Sequence, residues 1–91
     1  MSSSSSEKFP SPDALREFAL ETAAQLRAVG RPEAGEILES AANLVTSSGW
    51  EWLGELGVAA TSIRKRFPLP DGIADRVARI RKVATSRQPY A

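Results

Sequence analysis

The sequence predicts an all-α fold, a compact four-helix bundle, and three observations carry that expectation. Apolar residues recur at three- and four-residue spacing along four stretches. Capping residues open those stretches, and Gly30, Pro32, Pro68 and Pro70 close or separate them. The chain has 91 residues, 42% of them hydrophobic and 25% charged, which is the ordinary range of one globular domain. The helices are expected at roughly 12–29, 32–46, 50–67 and 71–86, with the third broken at Gly57 as an open alternative. They form a single domain over 11–86, between a Ser-rich leader at 1–10, read as disordered, and a frayed tail at 87–91.

The first helix has a clear start. Ser11 is a good N-cap, Pro12 suits the first helical position because its missing N–H would go unpaired there anyway, and Asp13 complements the positive end of the dipole. Leu15, Phe18, Ala19, Thr22, Leu26 and Val29 fall on one stripe, and Gly30 is the stop. Only Arg31 separates it from Pro32, so helices one and two are expected to form a tight antiparallel hairpin. Along helix two, Ala34, Ile37, Leu38, Ala41, Leu44 and Val45 line one face and Glu33, Glu36 and Glu39 the other, a solvated acidic surface.

Thr46 to Gly49 are turn formers, and Ser48 with Glu51 fits the S-x-x-E capping box that starts helix three. Leu53, Leu56, Ala60, Ile63 and Phe67 carry its core stripe. Trp52 lies close enough to that stripe to be core, whereas Trp50 falls outside it. Gly54 and Gly57 each cost about 1 kcal/mol relative to alanine inside a helix, so they thin the helix for close packing or break it. Phe67-Pro68-Leu69-Pro70 cannot continue a helix. Asp71 is expected to cap helix four, whose stripe is Ile73, Val77, Ile80 and Ala84 with Val83 at its margin, flanked by Arg76, Arg79, Arg81 and Lys82, and with Asp75 spaced to pair with Arg79.

What the chain lacks restricts its chemistry. With no histidine and no cysteine there is no Ser-His-Asp or Cys-His machinery, no imidazole acid or base, no disulfide and no zinc site of nitrogen and sulfur ligands. No paired-carboxylate or calcium-loop spacing occurs either, so no catalytic residue, cofactor or metal is assigned and the protein is read as a non-enzyme. The longest uncharged run, Ser40 to Trp50, is too short to cross a bilayer, and five serines after Met1 do not make a secretory signal. A cytoplasmic protein is the default expectation.

Charge is distributed unevenly. Four basic and nine acidic residues fall between Met1 and Ile63, against eight basic and two acidic from Arg64 to Ala91, and the halves offset to +1. At that boundary lies the stretch from Gly49 to Gly57, holding both tryptophans and three of the six glycines. Because tryptophan is enriched at binding hot spots and glycine lets backbones approach, Trp50, Trp52, Gly54 and Gly57 are the candidate protein interface. A chain this short has a thin core, which makes self-association a natural outcome.

A second function class comes from the run Gly57-Val58-Ala59-Ala60-Thr61-Ser62-Ile63-Arg64-Lys65-Arg66-Phe67-Pro68. It resembles the turn and recognition helix of TetR-type helix-turn-helix regulators. There a Gly-Val-Ser turn leads into a short helix with a buried aliphatic residue six positions after the turn glycine, then a phenylalanine and often a proline. Val58, Ile63 and Phe67 stand near those places, and residues 36–45 resemble that family's first helix. The likeness implies 60–67 as recognition helix, Thr61, Ser62, Arg64 and Lys65 facing a DNA groove, and Arg76, Arg79, Arg81 and Lys82 on phosphates. The chain departs from the pattern in its short connection between Gly49 and Gly57 and in Leu53, where a small residue usually stands. Its pI of 8.2 is also under the value of about 9 typical of nucleic-acid domains. The leading expectation is therefore a helical interaction or regulatory protein whose partner is a protein or a second copy of itself, with DNA binding as the alternative. In that bundle the basic fourth helix is expected to answer the acidic second.

Overall fold

The computed structural model describes residues 9–44, 48–86 and 90. Four helices follow in chain order, α1 over Pro12–Ala28, α2 over Pro32–Ala42, α3 over Gly49–Arg66 and α4 over Asp71–Ala84. Each packs on its neighbour in the chain, and α4 closes back on α1. The result is a four-helix bundle with Leu15, Leu26, Leu38, Leu56, Ile63, Val77 and Ile80 fully buried at its centre.

The expected punctuation of α1 is observed. The Ser11 hydroxyl accepts from the Ala14 amide, and Pro12 occupies the first turn. Gly30 has φ of +84°, a left-handed backbone that suits glycine. The Arg31 amide reaches Leu26 O at 2.8 Å and the Gly30 amide reaches Arg27 O at 3.1 Å, the two bonds of a Schellman stop. Val29 therefore belongs to the stop and not to the core stripe, and it is exposed.

The buried face of α2 differs from the expected one. Ala34, Gly35, Leu38 and Ala42 are buried, while Ile37 and Ala41 are half-buried and Leu44 is exposed; Val45 lies outside the described residues. The cause is Gly35, where an added Cβ would stand 2.7 Å from the Ala23 carbonyl and 2.9 Å from Arg27 Cγ. With no side chain there, α1 and α2 press together along that line, and the inward face centres on Gly35. The helix also ends at Ala42, earlier than expected. Its carbonyl receives the Trp52 indole N–H and Arg16 Nε, both at 3.0 Å, so it no longer has to accept from the next helical turn.

Helix α3 runs without interruption through Gly54 and Gly57, which removes the break left open by the sequence. Gly57 is buried, and a Cβ added there would meet the Ala84 Cβ at 3.3 Å, so this glycine sets the approach of α4. The Ser48 hydroxyl accepts from the Glu51 amide, the expected cap bond. At α4 the cap differs: Pro70 is the N-cap without a side-chain bond, and Asp71 is the first helical residue, where its charge favours the dipole.

The chain ends also depart from expectation. Phe9, counted with the leader, is 5% exposed, and Tyr90, counted with the tail, forms an isolated parallel bridge with it. The Phe9 ring packs on Phe18 at 5.2 Å, which extends the core beyond Ser11. Burial raises the Tyr90 pKa above its ordinary value, an effect opposed by the nearby Arg16 charge. The remainder of the leader and tail, 1–8, 87–89 and 91, lies outside the described residues.

Two glycine substitutions test this packing. Gly35→Ala forces a methyl against backbone and should destabilise the fold by about 1–3 kcal/mol. Gly54→Ala, with open space around the new Cβ, should stabilise it by about 1 kcal/mol, because alanine is the better helix former. Urea denaturation of both variants measures the contrast, and equal effects would contradict the described close approach.

Candidate functional site

The closure of α4 on α1 decides which basic residues are available to a ligand. Thr22 is the buried polar residue of the core, and its hydroxyl donates to the Phe18 carbonyl at 2.8 Å while accepting from Arg76 Nε at 2.9 Å. The same guanidinium donates to Phe18 O and Glu21 Oε1 and lies 4.0 Å from the Phe18 ring centre. Arg79 lies 4.3 Å over Phe9 and 5.0 Å over Phe18. Two of the four cations expected on DNA phosphates are thus turned inward onto α1. Arg81 and Lys82 are exposed, as are Arg64 and Lys65.

The expected match between α2 and α4 is also replaced. These two helices are not in close contact among the described residues, because they stand diagonally in the ring with α1 and α3 as shared neighbours. Glu39 of α2 pairs with Arg27 of α1, and Arg76 of α4 with Glu21 of α1. Both neighbours therefore exchange charge with α1.

The four interface candidates separate. Trp52 is 5% exposed, its indole bonded to the Ala42 carbonyl and faced by the Arg16 guanidinium 5.5 Å from the ring centre, so it is part of the core. Gly57 is buried against Ala84. Trp50 is 66% exposed and Gly54 lies open on the same side of the helix. Four residues further on, Val58 is also 66% exposed. Only the helix-turn-helix alternative gave Val58 a place, in its turn, yet the spacing of Trp50, Gly54 and Val58 is the helical signal that could have found it.

This outer face of α3 is flanked by two open grooves. One, of about 530 Å³, runs between Gly54, Gly57 and Thr61 on one side and Ala84 and Thr85 on the other. The second, of about 540 Å³, lies toward α2, where Ile37, Ala41 and Leu44 face Val58, Ala59 and Ser62. Ile37, Ala41 and Leu44 are three of the six residues that α2 was expected to bury, and the rotation about Gly35 brings them to this surface. A smaller groove of about 350 Å³ lies among Thr61, Arg64, Lys65 and Arg81.

The helix-turn-helix geometry is absent from this segment. Residues 60–67 are the C-terminal half of α3 and its cap, with no turn at Gly57 and no separate recognition helix. Thr61 and Ser62 are half-buried beside the grooves, and Arg66 lies over the Phe67 ring at 5.3 Å.

Among the described residues no group of three acidic, histidine or cysteine side chains converges to hold a metal ion, and no helix is long and apolar enough to cross a membrane. The fold and surface define an all-α four-helix bundle with two large apolar side chains, Trp50 and Val58, exposed on its third helix. Comparison with protein-family profiles, curated proteins and solved structures finds no match.

The inward and outward cations make opposite predictions. Arg76→Ala removes the guanidinium's bonds to Thr22 and to the Phe18 carbonyl and its cover over the Phe18 ring, and should cost about 2 kcal/mol of stability. Arg64→Ala combined with Lys65→Ala should change stability by less than about 0.5 kcal/mol, as surface changes do. Chemical denaturation distinguishes them.

Proposed function

We propose that this is a small non-enzymatic helical interaction protein that associates with a second copy of itself through the outer face of α3. The observation that carries the reading is the pair Trp50 and Val58, both 66% exposed on one helix face. Large apolar side chains left exposed two turns apart on one helix, beside grooves that can receive a partner's, mark protein contact sites. Trp50 offers a large apolar area at low cost in conformational freedom, which is why this residue type dominates binding hot spots. The composition agrees, since a chain with neither histidine nor cysteine lacks the commonest catalytic groups.

Light scattering after gel filtration tests it. The chain should elute as a dimer, and Trp50→Ala should shift it toward monomer while its helical circular dichroism remains unchanged. A chain that is monomeric at every concentration overturns the reading.

A second reading, contact with a nucleic-acid backbone, is favoured by Arg64, Lys65 and Arg81 standing around one groove with Thr61. Phosphate neutralisation by three cations should give binding to generic duplex DNA with a log–log salt slope of about −3, reduced by Arg64→Ala with Lys65→Ala. Absence of binding at low salt ends this alternative.

A further inference from the structure

We propose that the two copies pack antiparallel along α3, about a two-fold axis passing near Val58, with Glu51 of each copy against the partner's Lys65. The inference rests on the self-association reading above and adds the direction and register of the contact.

At 100° per residue, Glu51, Val58 and Lys65 lie within about 20° of a single line down the outer face of α3. Gly54 and Thr61 stand on one side of that line, and Glu55 and Ser62 on the other. Charge along this face is polarised. Glu51 and Glu55 are exposed toward its N-terminal end, Lys65 and Arg66 toward its C-terminal end, and the middle is apolar or small.

That polarity selects one arrangement of a symmetric pair. Parallel packing would set carboxylates against carboxylates at one end and cations against cations at the other. Antiparallel packing sets each acidic end on a basic one, so the face is complementary to itself. A two-fold axis near Val58 brings together positions equidistant from it. Glu51 and Lys65 each lie seven residues away, about 10 Å along the helix. Glu55 then falls on the side of the partner's Arg66, and Trp50 on the side of the partner's Lys65. At the crossing, Gly54 has open space where a Cβ would stand, so the two backbones can approach there. Antiparallel helix dipoles add to the same preference.

Charge reversal in the 91-residue chain tests the register, read by sedimentation equilibrium at low salt. Glu51→Lys and Lys65→Glu should each weaken the dimer about tenfold or more, since every reversal replaces two attractions with two repulsions. The double variant Glu51→Lys/Lys65→Glu should return to within about threefold of the wild-type constant, because the pairs are restored with their signs exchanged. The double variant also controls for any effect of Glu51→Lys on the helix start, as it carries the same change. A double variant no tighter than the single ones overturns the proposal. If the wild-type dimer is weakened by Trp50→Ala but indifferent to both reversals, the register is wrong and self-association stands. A wild-type chain that stays monomeric removes both.

Discussion

The ring of four helices is closed by Arg76. Contact between α1 and α4 is the sparsest of the packed pairs, and the guanidinium spans it with a bond to Thr22, a bond to the Phe18 carbonyl, a pairing with Glu21 and a face on the Phe18 ring. A buried hydroxyl without a partner would cost about 1–3 kcal/mol, and Thr22 avoids that cost by donating to the Phe18 carbonyl while accepting from Arg76. Arg79 follows one turn later and covers Phe9 and Phe18. With α4 held this way, its C-terminal end lies beside Gly57, and among the described residues no helix covers the outward side of α3.

A second constraint, the Ala42 carbonyl, sorts the tryptophans. Two side-chain donors from different helices converge on this one acceptor, and they end α2 there. Trp52 thereby turns into the core. Trp50, two residues earlier and about 160° around the helix, must point away from it. The exposure of Trp50 is thus the geometric counterpart of the buried Trp52 indole.

Surface charge follows from the same packing. The acidic and basic halves of the sequence do not pair as blocks, because α2 and α4 stand diagonally in the ring and each exchanges ions with α1. The charges left outside on α3 remain ordered along its axis, acidic before Val58 and basic after Ser62. Such a polarised stripe discriminates between orientations of a partner more than it adds affinity.

Local chemistry alone determined much of this molecule. Ser11, Pro12 and Gly30 specify the ends of α1, Ser48 starts α3, and the four apolar stripes specify helices packed in one domain, because caps and periodicity act within a few residues. Trp50 outside the core was legible from the same periodicity. The tertiary structure decided what depends on contact between distant parts. Gly35 rotated the face of α2 through its approach to Ala23, and Gly57 proved a packing glycine against Ala84 rather than a break. Phe9 and Tyr90 were drawn into the domain by each other and by Phe18. Which arginines face solvent was likewise invisible to spacing, since Arg76 and Arg81 share a helix and differ only in having α1 beneath one of them.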